Sequence, residues 1–74
     1  NGPYCVATLR SVFDAAKGGV LFIDEAYGMY LDDAITTLIQ EMENRREDVI
    51  VILAGYNERM QAFMEIFMRK FYKR

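Results

Sequence analysis

Leu9, Val12, Phe13 and Ala16 recur at i, i+3, i+4 and i+7, the spacing that lines one face of a helix, and Gly18-Gly19 then supplies a stop. This pattern predicts a helix from about Tyr4 to Lys17, with Pro3 at its entrance, where a missing backbone N–H costs little. Val20-Leu21-Phe22-Ile23 follows as an unbroken apolar run ending on Asp24-Glu25. A run apolar on both faces predicts a strand in a parallel sheet covered on both sides, with two carboxylates at its carboxyl end. Ile35, Leu38, Ile39 and Met42 restore the helical spacing and predict a second helix from Asp32 or Asp33 to Arg45. The β-branched run Val49-Ile50-Val51-Ile52-Leu53-Ala54, closed by Gly55, predicts a second strand. A third helix starts near Asn57 and carries Met60, Phe63, Met64, Phe67 and Phe71 on one stripe to near the C-terminus.

The order helix, strand, helix, strand, helix places the chain in the α/β class. A crossover helix between two apolar strands implies a right-handed parallel pair. In open α/β sheets the working groups lie outside the carboxyl ends of the strands, here Asp24, Glu25, Tyr56 and Asn57. No repeat, linker or low-complexity segment divides the sequence, so residues 1–74 read as a single domain.

Composition sharpens this picture at three points. The 74 residues are 53% hydrophobic, with five Phe and five Tyr. A chain that short buries only about 60% of its unfolded surface, so its stability is marginal and an apolar face meant for a cover can find another copy of itself. A net charge of −2 gives no general attraction to nucleic acid or to an anionic membrane. The one basic cluster, Arg69, Lys70, Lys73 and Arg74, reads as cations set against the negative end of a helix. With Cys5 as the one cysteine and no His, the sequence offers no internal disulfide and no zinc site of the usual kind. Without a membrane-length apolar stretch or a targeting pattern, it reads as cytoplasmic.

A strand ending in two adjacent carboxylates can set one on a hydrated magnesium ion and the other against a water, since neighbouring residues at an extended end point opposite ways. Val20-Leu21-Phe22-Ile23-Asp24-Glu25 has this Walker B form, although the same pair equally solubilises a loop or caps a helix. Three longer stretches surround it: Gly18 through Tyr27, Ala34 through Leu38 with Glu41-Met42-Glu43, and Val51-Ile52-Leu53-Ala54-Gly55-Tyr56-Asn57-Glu58-Arg59-Met60. Together they resemble the AAA+ family of stage V sporulation protein K and the red-type rubisco activases, over roughly Leu9 to Phe63. The resemblance implies a P-loop NTPase-type sheet, ATP and magnesium as cofactors, and ring-forming proteins that remodel protein partners. It also implies Asp24 as a magnesium ligand, Glu25 as the residue that polarises the attacking water, and Asn57 as the sensor 1 residue contacting the γ-phosphate or that water.

The departures from the family pattern matter as much. No Gly-x-x-x-x-Gly-Lys-Ser/Thr string occurs in these residues, so the backbone nest and the Lys that grip phosphates are missing from them. Gly28-Met29-Tyr30 stands where relatives carry a longer Gly-rich linker, and Arg69-Lys70-Phe71 is a poor counterpart of the family's Arg-Phe ending, so Lys70 is a weak substitute for an arginine finger. The chain therefore reads as a fragment, a degenerate copy or an engineered minimal version of the ATPase core, inactive alone and binding neither ATP nor magnesium tightly. It would expose a strand edge and associate with itself, through that edge or by exchange of the third helix, or with the missing part of the core. A non-catalytic α/β interaction or folding module is the alternative. The Met and Phe stripe reads as core, with a self-association surface as the alternative. Tyr27, Tyr30 and Tyr56 read as edge-packing rings rather than base-stacking ones, and Cys5 as a small packed residue rather than a nucleophile.

Overall fold

The computed structural model describes residues 4–29 and 32–73; the readings that rest on Pro3, Tyr30 and Arg74 fall outside them. The elements run α1 (Val6–Ala15), β1 (Val20–Ile23), a 3₁₀ turn (Ala26–Gly28), α2 (Asp32–Asn44), β2 (Ile50–Leu53) and α3 (Asn57–Lys73). The fold is a small α/β unit whose two strands pair in parallel, Val20 with Ile50 through Ile23 with Leu53, with α2 as the crossover. The architecture is the one the hydrophobic pattern predicts, with boundaries moved by one or two residues.

Each shift has a local cause. Tyr4 and Cys5 precede α1 rather than joining it, because Cys5 is extended at φ −77°, ψ 163° and its carbonyl accepts the Leu9 N–H at 2.9 Å, opening the first helical turn. The far end stops at Ala15, as the Ala16 N–H forks between the Val12 and Phe13 carbonyls and Gly18 then reverses the chain at φ 82°. β2 loses Val49, whose N–H donates to the Arg45 carbonyl at 2.9 Å and so belongs to the end of α2. Asp32 and Asp33 stand in the first turn of α2, where the helix dipole favours negative charge.

The core lies on one side of the sheet. Leu9 and Phe13 of α1, Ala34, Ile35, Leu38 and Ile39 of α2, and Phe63 and Phe67 of α3 are buried with Ile23, Ala26, Met29 and Val49. Leu21, Val51 and Leu53 pack against this cluster, as do Met60, Met64 and Phe71, so the α3 stripe is core as its spacing indicates. Phe63, Phe67 and Phe71 run as a ladder with ring centroids 6.1 and 5.9 Å apart.

Two features were not legible as patterns. Arg45 clamps α1 to α2: its Nη2 donates to Asp14 Oδ1 at 2.6 Å, its Nε to Glu41 Oε1 at 2.8 Å, and its guanidinium lies 5.9 Å from the centre of the Phe13 ring. Lys70, one of the basic residues expected to face the negative helix end, also pairs with Asp32 at the start of α2.

The expectation of a sheet covered on both sides is corrected. Val20, Phe22, Ile50 and Ile52 are 55%, 59%, 64% and 45% exposed. They are register partners, so they form one face. The three helices all contribute to the core under the other face, which leaves the second without a layer among the described residues.

Candidate functional site

β1 ends at Ile23 because the chain leaves the extended region at the two carboxylates. Glu25 adopts φ 53°, ψ 52°, the left-handed region, which costs a residue with a side chain about 1–2 kcal/mol. Asp24 and Glu25 were expected to alternate from an extended strand end; a tight turn sets their directions instead. Asp24 Oδ1 accepts the Glu25 N–H at 3.0 Å, folding one carboxylate oxygen back onto its own turn. The Asp24 carbonyl accepts the Tyr4 hydroxyl at 2.6 Å.

Tyr4 reaches this turn from twenty residues earlier in the chain. Burial raises the pKa of its phenol above 10.0, and the nearby charges of Glu25 and Asp24 add to the effect. A neutral hydroxyl that donates to a carbonyl beside two anions is the stable form.

The loop after β2 is stitched to the turn after β1 by two backbone bonds. The Ala54 N–H donates to the Ile23 carbonyl at 2.9 Å, and the Ala26 N–H donates to the Ala54 carbonyl at 3.0 Å. Gly55 allows a close approach: a Cβ there would stand 2.6 Å from Met60 Sδ and 2.8 Å from Tyr27 Cε2, so one of these side chains would have to shift. Asn57 begins α3 at φ 56°, a conformation asparagine tolerates better than most residues. Its turn redirects the chain from the sheet into the helix. Tyr27, Tyr56, Asn57, Glu58 and Arg59 line a cleft of about 340 Å³ beside the strand ends, with the Arg59 guanidinium 5.6 Å over the Tyr27 ring.

The structure thus places Asp24, Glu25 and Asn57 at one end of the sheet, on loops joined by backbone hydrogen bonds. Asp24, Glu25 and Asn57 are all exposed. Among the described residues no hydrogen bond links Asn57 to either carboxylate, and neither carboxylate forms an ion pair. Tyr4 and Arg59 are the neighbours that sequence reasoning missed; both act across turns, where no periodicity announces them.

Among the described residues the donor set suits part of a magnesium shell. Magnesium is usually held by one or two carboxylates together with waters and substrate phosphates, and Asp24 retains one carboxylate oxygen outside the turn's own bond. Among the described residues no group of three or more Cys, Asp or Glu side chains could hold a metal ion. Phosphates need a nest of N–H groups and a cation. The cation lining the adjoining cleft, Arg59, is engaged with Tyr27 instead.

Cys5 is half-buried, with its thiol 3.2 Å from Thr8 Oγ1. That hydrogen bond lowers its pKa.

The chain is 48% identical to a "Protein CfxQ homolog" of Guillardia theta, 52% identical to one of Trieres chinensis and 50% identical to "Protein CbbX" of Cereibacter sphaeroides. Each comparison covers 76% of this chain and 22%, 22% and 21% of the respective relative, so the chain spans about a fifth of the length of the curated relatives it matches. The family model described as "ATPase family associated with various cellular activities (AAA)" matches residues 5–74, which includes every element of the fold and both strand-end loops. On that match the chain belongs to the AAA family of ATPases.

Proposed function

We propose that residues 1–74 form one partial domain of an AAA ATPase core, running from its Walker B strand to its sensor 1 residue, and that this chain alone does not hydrolyse ATP. In the complete core Asp24 would share the magnesium ion, Glu25 would polarise the attacking water and Asn57 would contact the γ-phosphate or that water. The observation that carries the reading is the single strand-end constellation: two exposed carboxylates, with no ion pair among the described residues, on a turn stitched to the loop that begins α3 with Asn57. Phosphoryl transfer depends mostly on positioning and charge stabilisation. Two carboxylates without a phosphate cradle repel a nucleotide, so ATP and magnesium belong to the complete core and are not held tightly here.

The partners that follow are the missing part of the core and a second copy of this chain. The resemblance to the sporulation protein K and red-type rubisco activase family adds a protein substrate for the complete core and a cytoplasmic setting. No nucleic acid or membrane partner is proposed; among the described residues no helix is long and apolar enough to cross a membrane.

Titration calorimetry with magnesium-ATP tests the reading. The expected result is no saturable binding tighter than about 100 μM, near −5.5 kcal/mol. Saturable binding above that affinity, lost in Asp24→Asn, would show a working site in the isolated chain and overturn the proposal.

A second reading, a non-catalytic interaction module, is favoured by one observation, the apolar sheet face that no element among the described residues covers. Asp24→Asn with Glu25→Gln separates the two. Unchanged behaviour in every binding assay, including assembly with a complementary ATPase half, supports the module; loss of ATP turnover in the assembled core supports the ATPase reading.

A further inference from the structure

We propose that Tyr4 is a positioning residue for the two strand-end carboxylates: its hydroxyl fixes the plane of the peptide between Asp24 and Glu25 and so keeps Glu25 left-handed. The inference rests on the ATPase reading above for what the carboxylates do, and on geometry alone for what Tyr4 does.

The peptide between Asp24 and Glu25 is tied at both ends. Its carbonyl accepts the Tyr4 hydroxyl at 2.6 Å, and its N–H donates to Asp24 Oδ1 at 3.0 Å. A peptide unit is planar, with its C=O and N–H on opposite sides, so holding the carbonyl also holds the N–H. Flipping such a unit reverses the sign of the next residue's φ, which is the difference between type I and type II turns. Glu25 stands at φ 53°, the unfavourable side for a residue with a Cβ. The Tyr4 bond must break for the flip to occur, and it therefore holds the strained conformer in place. The same flip would pull the Glu25 N–H away from Asp24 Oδ1 and release the Asp24 carboxylate from its turn.

The turn beyond this plane is held by the backbone. The Ala26 N–H donates to the Ala54 carbonyl at 3.0 Å, the Gly28 N–H to the Glu25 carbonyl at 2.9 Å, and Ala26 is fully buried. Tyr4 reaches this end as well, because its ring is seated on Gly28: a Cβ there would stand 2.6 Å from Tyr4 Cε2. One side chain, from the segment that leads into α1, thus spans the carboxylate turn from Asp24 to Gly28.

NMR spectroscopy on the full, isotope-labelled chain without nucleotide tests the assignment. A left-handed residue has a short HN–Hα distance and hence a strong intraresidue NOE, and Asn57, left-handed at φ 56°, serves as the internal reference. Both NOEs are expected to be strong in the parent. Tyr4→Phe keeps the ring and removes the hydroxyl; the Glu25 NOE is expected to weaken at least about twofold as the strain is released, with Asn57 unchanged. Gly28→Ala drives the ring from its seat and leaves the hydroxyl, so it reaches the same loss by an independent route. Glu25→Asn introduces a residue that tolerates the left-handed region, and is expected to keep the signal at position 25 strong when combined with Tyr4→Phe. A Glu25 NOE unaffected by Tyr4→Phe and by Gly28→Ala overturns the proposal. So does a parallel loss at Asn57, which would make Tyr4 a general brace of the fold. The NOE is read without nucleotide, so it decides the role of Tyr4 whichever way the magnesium-ATP titration falls.

Discussion

The two faces of the sheet are built from the same residue types and meet opposite fates. Leu21, Ile23, Val51 and Leu53 pack into or against a core drawn from α1, α2 and α3, while Val20, Phe22, Ile50 and Ile52 remain in water. Neither strand differs in apolar character between its odd and even positions. Hydrophobicity identifies residues that call for cover; the path of the connecting helices decides which of them receive it. Every described helix contributes to one side, so one set of side chains stabilises the fold and the other stays exposed.

Substitutions can break this contrast or sharpen it. The largest effect is expected at the covered side: Phe13→Ala and Leu38→Ala, both fully buried, should each cost about 2–5 kcal/mol. That is enough to unfold a domain of this size, and urea or thermal melts followed by circular dichroism will show no cooperative transition. Phe22→Ala on the bare face should change stability by less than about 0.5 kcal/mol; an equal loss at both sites would erase the distinction between the faces.

Next comes Gly55→Ala, where the new Cβ meets Met60 Sδ and the Tyr27 ring. A cost of about 1–3 kcal/mol is expected from this overpacking, and a neutral result would mean that the strand-end loop is looser than its contacts imply.

Arg45→Met removes the clamp between α1 and α2 and leaves the nearly buried Glu41 without its cation. An uncompensated, partly buried carboxylate of this kind should cost about 1–2 kcal/mol, less than a fully buried ion. Double-mutant cycles with Asp14→Ala and Glu41→Gln will show which of the two pairs carries the coupling.

Among the substitutions expected to destabilise, the smallest effect is at Tyr4. Its folded pKa lies above 10.0 because burial and then Glu25 and Asp24 disfavour the phenolate. The group therefore stabilises the fold fully below pH 10 and loses that contribution as pH rises through the higher folded value. Tyr4→Phe should flatten the alkaline limb of the stability profile while costing about 1 kcal/mol at neutral pH for the lost hydrogen bond. An unchanged limb would place the titration elsewhere.

The candidate site was legible to different depths. Asp24 and Glu25 announce themselves because an apolar run stops at them, and Asn57 because it follows the second run through Gly55-Tyr56. The left-handed backbone at Glu25 and Asn57 carries no such mark, since neither position is a glycine. Tyr4 at Asp24 and Arg59 over Tyr27 are long-range or cross-loop partners, and a periodic pattern within one element cannot report them. The 3₁₀ turn Ala26–Gly28 was hidden for another reason: three residues are too few to display a period.

By itself the sequence determined the order of elements, the parallel pairing of the two apolar runs, the buried stripe of each helix, and the family, because periodicity and local strings act over a few residues at a time. Only the tertiary structure decided which face of the sheet is covered, how far each strand extends, that Arg45 joins two helices and that Tyr4 closes over the carboxylate turn. Those outcomes depend on where the chain goes between elements, and the positions of its crossings are set by the packing of the whole fold.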